Sequence, residues 1–379
     1  MVVSPETLTP PRAPALSTPR RLLLLLSQLW AWAFLAVMIL FFVATVPLLS
    51  GGISFLTIRN SQNILVAIVP VLLLGLGQTF VIISAGIDLS VGWVMSLASV
   101  LSALALRNSF NAGAPLPLAV LLGFLAAVGG SGVVGAANGV IIAKLKVPAF
   151  IVTLGSSFIV RGLALLWSEN TTVVGLPDGI RSYGNESLFY IIQGDHGGLF
   201  AFAPPPLTGD MLRHMDRVLS WPVVGSLVVV AICMFVLHRT TFGRYTYAIG
   251  GNMQAALRAG IPVDRHIIKL YTLSAVTAGI GGFLSMLQFT AGSASIGDPL
   301  LLSSIAAVII GGVSLFGGAG TIIGTLIGAL IIAVLTTGLV MLNVPAFWQF
   351  IVVGVVVIVA VLIDQSRDLI VGRYRGAAE

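Results

Sequence analysis

Long apolar runs, separated by short polar stretches, fill this chain from Leu22 to Asp364. Ten can be marked, at about 22–50, 62–85, 89–106, 117–143, 147–167, 219–238, 267–290, 300–313, 319–342 and 346–364. A helix needs about 20 apolar residues to cross the hydrocarbon of a bilayer, and most of these runs supply them. Continuous runs such as Leu22–Leu49 lack the period-two alternation of a barrel strand, so the spans are read as helices. The expected fold is all-α and polytopic, with about ten transmembrane helices.

Two runs are interrupted by glycine and small polar residues. One break is Gly86-Ile87-Asp88-Leu89-Ser90-Val91-Gly92. The other is Gly311-Gly312-Val313-Ser314-Leu315-Phe316-Gly317-Gly318-Ala319-Gly320. Each follows a Val-Ile-Ile triplet, at 81–83 and 308–310, and each leads into a further apolar run. Glycine-interrupted segments in corresponding halves point to discontinuous helices beside a transport path. Freed amides and carbonyls can then face a polar cavity. The translocation path or helix break is accordingly assigned to Gly86, Asp88, Ser90, Gly92, Gly311, Gly312, Ser314, Gly317 and Gly318. Asp88 is the one carboxylate read inside the apolar territory. It has two compatible readings: a path-lining residue, or, with Ser90, the cap of the next helix. Arg161, inside the fifth run, is read as snorkelling toward an interface. The four-residue spacings Gly320, Gly324, Gly328 and Gly135, Gly139 put glycine on one helix face, for packing within the chain or between chains.

Composition agrees with the pattern. Charged residues make up 8% of the 379 and apolar residues 57%, and the mean hydropathy is +1.07. A soluble domain carries about 25% charged residues. The net charge of +6 acquires a meaning from its distribution. With the N-terminus inside, Arg12, Arg20, Arg21, Lys144, Lys146, Arg239, Arg244, Arg258, Arg265, Lys269, Arg367, Arg373 and Arg375 fall inside, 13 of the 19 basic residues. This is the positive-inside bias, and it predicts both termini in the cytoplasm. Spread over short segments, the charge forms no nucleic-acid patch. The expected organisation is a cytoplasmic disordered tail at 1–21, a transmembrane domain at 22–364, and a second cytoplasmic tail at 365–379. An external loop at 168–220 is expected to be loop-rich, with one short helix at Gly209–Leu219. The lone Cys233 lies in an apolar run and reads as a packing residue.

The cytoplasmic connection 238–266 carries a second candidate site. Asn252 is a good helix N-cap and Gly260 a good stop, so a helix of about two turns fits between them. Ala255, Ala256 and Ala259 give it a thin surface for a partner.

These segments resemble the ribose-type ABC sugar permease family. Gln78-Thr79-Phe80-Val81-Ile82-Ile83 followed by Gly86–Gly92 is similar to that family's early signature. Phe242-Gly243-Arg244 and Tyr247-Ala248-Ile249-Gly250-Gly251-Asn252, with Ala255-Ala256 and Gly260-Ile261, resemble its coupling loop. Ile305–Gly318 resembles its late glycine-rich motif, and Val147-Pro148-Ala149-Phe150 fits as well. The resemblance runs in order from about 62 to 364. It implies a bacterial inner-membrane, multi-pass permease. A cytoplasmic ATP-binding cassette subunit would dock on a coupling helix formed by Gly251, Asn252, Ala255, Ala256, Gly260 and Ile261. It also implies an external sugar-binding protein and a second permease chain, identical or not. The permease itself would bind no cofactor or metal and have no catalytic residue, ATP being used by its partner. The sequence departs from the family at Leu301-Leu302-Ser303-Ser304, where many members carry Glu-Leu-Asp-Ala, and this leaves the sugar open.

Three other readings stand beside it. The same permease could carry an amino acid or nucleoside. An ion-coupled secondary transporter would need charged groups in the bundle, and only Asp88 is offered. Gly129-Gly130-Ser131-Gly132 matches the short serine motif of intramembrane proteases, but the four histidines fall in loops or at span ends, away from a serine that would need a base.

Overall fold

The computed structural model describes residues 18–192, 198–202 and 214–356, with 358, 359 and 362. Eight helices among them are long and apolar enough to cross a membrane. They are α1 (Thr18–Leu49), α2 (Ile58–Ile83), α3 (Val91–Asn111), α4 (Leu116–Lys144), α5 (Ala149–Trp167), α7 (Trp221–Arg239), α10 (Val263–Phe289) and α12 (Ile322–Met341). Shorter helices are α6 (Ile180–Asn185), α8 (Thr241–Gly251), α9 (Met253–Arg258), α11 (Leu300–Ile310) and α13 (Ala346–Val356). The protein is an all-α polytopic membrane protein that also carries a small sheet.

α2 and α3 are apolar around most of their surface and form the centre. α2 is buried without a gap from Val71 to Ile83, and α3 from Val91 to Val100. A helix hydrophobic all round must be enclosed by others. α1, α5 and α7 lie outside: Leu40, Phe158 and Phe235 are exposed, the side chains a hydrocarbon belt would cover. The glycine spacings prove to be packing within the chain. Gly328 meets the backbone of Ala307, Gly135 that of Tyr271 and Gly139 that of Ile268, each too close for a Cβ.

The helices have two distinguishable ends. At one, the Ser50 hydroxyl donates to the Met341 carbonyl (2.8 Å), and a sheet packs on the start of α2. β1 (Ser187–Ile192) pairs antiparallel with β2 (Gly198–Ala201) and β3 (Met215–Ser220), in the order β2-β1-β3. Gln62 Oε1 accepts from the Leu219 amide at 2.9 Å, and Arg59 meets Asp216 at 3.4 Å. At the other end lie α8, α9 and the ion pair Lys146–Asp264 (2.6 Å).

Several expectations need correction. Met215–Leu219 is strand, not helix: Phe189 to Ile192 of β1 pair with it, and Asp216 turns inward toward Arg59. Residues 209–213 lie outside the described ones. α1 begins at Thr18, so 18–21 belongs to helix, while 1–17 and 363–379 are outside the described residues. The run 300–313 is not a span. α11 has 11 residues, about 16 Å of helix, half a bilayer. The residues before it, 290–299, turn back into the helical layer along α3.

Candidate functional site

α2 and α11 end by one device. Gly86 N returns to Val81 O (2.9 Å) and Ala85 N to Ile82 O (2.9 Å); likewise Val313 N returns to Val308 O (3.2 Å) and Gly312 N to Ile309 O (2.8 Å). These are paired reverse bonds around a residue in the left-handed region, which satisfy the last carbonyls of a helix. The left-handed residues are Ala85 (φ 63°) and Gly312 (φ 83°). The early break therefore places alanine, not Gly86, in the region that favours glycine. Gly86 serves space instead: a Cβ there would come within 2.7 Å of the Tyr271 hydroxyl.

Past Ala85 the chain turns inward and buries Asp88, which is 1% exposed. One carboxylate oxygen accepts from the Ser90 amide (3.0 Å) and the Ser90 hydroxyl (2.6 Å). The other accepts from Ser274 Oγ of α10 (2.9 Å). Asn138 Nδ2 of α4 donates to Ser90 Oγ (3.1 Å), and Gln78 Nε2 of α2 donates to the Asp88 carbonyl. Asp88 thus ties α2, α4 and α10 to the foot of α3. The capping expectation fails in its detail. Ser90 occupies the N-cap position, but its side chain accepts from no helix amide, and Asp88 reaches only the amide of Ser90 itself. Gln78, Asn138 and Ser274 were not expected here. Their signal was available, as lone polar side chains inside apolar helices that need buried partners. Gln78 Oε1 and Tyr271 OH are buried without a hydrogen-bond partner among the described residues. Farther along α3, Gly92 packs against the Gly297 backbone.

The late break is built differently. Ser314 N donates to Ala319 O (3.0 Å) and Gly317 N to Ser314 O (3.1 Å), folding 314–319 into a compact loop. Thr321 then caps α12, its side chain accepting from Gly324 N at 3.0 Å. Gly317 (φ 85°) lies against Ala85 and the Gly250 carbonyl. Gly318 N donates to Ile83 O (2.8 Å), and Tyr247 OH of α8 donates to Gly320 O (2.7 Å). Burial holds the Tyr247 phenol above its ordinary pKa, so it keeps this proton at neutral pH. A Cβ at Gly250 would overlap the Ile83 carbonyl. The end of α2, the late break and the end of α8 therefore meet at one point.

α8 and α9 join at Asn252, whose side chain accepts from the Ala255 amide at 2.9 Å. α9 closes at Gly260 (φ 80°), with Ile261 N bonding Ala256 O (3.1 Å) and Gly260 N bonding Leu257 O (3.0 Å). The cap and stop residues are those read from the sequence. The outward surface is so only in part: Ala255 and Ala259 are exposed, Ala256 is not. Ala256 is 4% exposed and packs with Ile249 and Val263. Gly251, Asn252, Ala255 and Gly260 are exposed and Ile261 is half-buried, but the apolar groups turned outward are Met253 (42%) and Leu257 (47%). They stand four residues apart, on one face.

Ser131 is buried against Gly279 and has no hydrogen-bond partner among the described residues. His266 hydrogen-bonds Thr246 instead (2.9 Å).

The chain is similar to a fructose import permease of Rhizobium meliloti, 35% identical over 331 residues, 87% of this chain and 84% of the relative. It is 34% identical to a ribose import permease of Bacillus subtilis over 83% of this chain and 87% of the relative. It is also 34% identical to a xylose transport system permease of Escherichia coli, over 83% and 86%. No solved structure matches it. The family model described as branched-chain amino acid transport system / permease component matches residues 60–361. That region takes in both helix breaks and the whole of α8 and α9, and the chain is a multi-pass permease belonging to this family.

Proposed function

We propose that this permease is the membrane-spanning subunit of an ATP-driven sugar importer. In this reading a monosaccharide of the ribose, xylose or fructose kind arrives from an external binding protein. Its path runs through a pair of permease chains in a bacterial inner membrane, with both termini in the cytoplasm. The single observation that carries the reading is the junction of α8 with both helix breaks, at Ile83, Gly250, Gly318 and the Tyr247–Gly320 bond. A separate ATPase docking on Met253 and Leu257 would move α9 and α8. It would thereby shift the ends of α2 and α12 together, a population shift between two packed arrangements. This chain binds no cofactor and makes or breaks no bond; ATP is used by its partner.

The test is uptake by the reconstituted complex of permease, ATPase and binding protein. D-Ribose, D-xylose or D-fructose should accumulate only with ATP. Accumulation by the permease alone, on a proton or sodium gradient, contradicts the reading. A second reading, import of an amino acid, is favoured by the description of the matching family. The same vesicles distinguish the two by uptake of leucine or isoleucine in place of sugar.

A further inference from the structure

Two charged side chains sit exposed deep in the helical layer. Arg161 of α5 is exposed, 12 residues from Ala149 and 6 from Trp167, or about 18 and 9 Å from the helix ends. It does not snorkel toward the nearer end. Its guanidinium lies over the Trp93 ring, 4.6 Å from the centroid. A helical side chain leans toward its own N-terminus, here away from the nearer interface. Trp93 is in the first turn of α3, and Met95, two residues further on, meets Gly282 of α10. This sets Trp93 about 14 Å below the nearer end of α10.

The second charge is Asp298. The sequence puts it in a connection between apolar runs, but the backbone carries it inward. Ser293 N bonds Ser99 Oγ (3.1 Å) and Gly297 N bonds Ser96 Oγ (2.9 Å), and Gly297 then packs on Gly92. Asp298 is thus brought to the level of the first turn of α3. It is exposed and forms no ion pair among the described residues. Gly92, packed on Gly297 just before Asp298, and Trp93, beneath the Arg161 guanidinium, are neighbours in that turn.

A charged group costs about 2.5–3.5 kcal/mol at the centre of a span on insertion scales. Two such groups, exposed at this depth, argue that these surfaces face water rather than lipid. We propose that Arg161, presented by Trp93, and Asp298 line the solute path on either side of the foot of α3, and bind the hydroxyls of the transported sugar. The guanidinium offers N–H donors and the carboxylate acceptor oxygens, a pairing suited to a neutral polyol. The inference rests on the importer reading for its substrate, but the water-facing claim stands apart from it.

The experiment puts single cysteines at Arg161→Cys, Asp298→Cys and, as a lipid-facing control on another helix, Leu40→Cys, in a Cys233→Ser chain within the full complex. Each is treated with a membrane-impermeant thiol reagent. Labelling at 161 and 298 at least tenfold faster than at 40 is expected. The transported sugar should slow labelling at 161 at least threefold. Equal, slow labelling at all three positions overturns the path. Fast labelling untouched by the sugar that the wild-type complex imports overturns the contact with substrate. If the wild-type complex imports none of D-ribose, D-xylose and D-fructose, the importer reading fails separately, and labelling of positions 161 and 298 against 40 still decides whether they face water. Arg161→Gln should cut uptake at least tenfold while ATP hydrolysis stays within twofold, with partial recovery in Arg161→Lys. Normal uptake by Arg161→Gln counts against the proposal.

Discussion

After Val81-Ile82-Ile83 and again after Val308-Ile309-Ile310, the amide five residues past the valine returns to the valine carbonyl. Up to that bond the two breaks are alike. Beyond it they diverge. The early break turns into the core and fastens Asp88 to Ser90 and Ser274. The late break turns toward α8, folds on its own glycines, and is held there by Tyr247 and Ile83. One is an anchor of buried polar bonds; the other has backbone contacts to the candidate coupling segment and, in the proposed reading, acts as a hinge. A discontinuous helix can therefore serve two purposes within one permease, and its sequel distinguishes them better than its glycines do.

The anchor is the place to strike hardest. Asp88→Ala should leave the Ser90 amide and the Ser274 hydroxyl without their acceptor. Each orphaned buried group costs about 1–3 kcal/mol, so a total near 3 kcal/mol is expected. Thermal unfolding in detergent measures it, and Asp88→Asn, which keeps an acceptor oxygen for Ser90, should lose less. A loss under 0.5 kcal/mol for Asp88→Ala would remove the anchor from the comparison.

The hinge should respond in function more than in stability. Tyr247→Phe deletes one hydrogen bond, worth about 1 kcal/mol, and should lower uptake while ATP hydrolysis by the complex persists. Unchanged uptake per ATP would separate α8 from the late break.

The smallest effects come from exchanging the left-handed residues. Gly312 has open space around the position of a Cβ, so Gly312→Ala should cost about 1 kcal/mol in backbone strain alone. Ala85→Gly should relieve the corresponding strain and be neutral or slightly stabilising. Opposite signs in the two melting shifts would show that the terminations are equivalent; two losses would show that they are not.

Much of this was legible in the sequence. The Val-Ile-Ile triplets marked both terminations, Asn252 and Gly260 bounded α9, and most spans followed from the apolar runs. What escaped depends on contacts distant along the chain. Nothing near Ser295 tells that the segment turns back along α3, because the bonds that draw it there come from Ser96 and Ser99. Ala256 looked available to a partner because α9 is short and small, yet Ile249 and Val263 close over it. Arg161 looked like a snorkelling residue because its aromatic seat, Trp93, is 68 positions earlier. The strand at Met215–Ser220 is set by β1, since its own pattern, with Asp216 and Arg217 adjacent, alternates too weakly to announce itself.

Coupling by this route requires that α9 present Met253 and Leu257 to a motor on the cytoplasmic side. Its most direct test is a single cysteine, Leu257→Cys in the Cys233→Ser chain, challenged with a membrane-impermeant maleimide on intact cells and on inside-out vesicles stripped of ATPase. Labelling is expected only in the vesicles, and added ATPase should block it. Labelling in intact cells would place α9 outside and contradict the account.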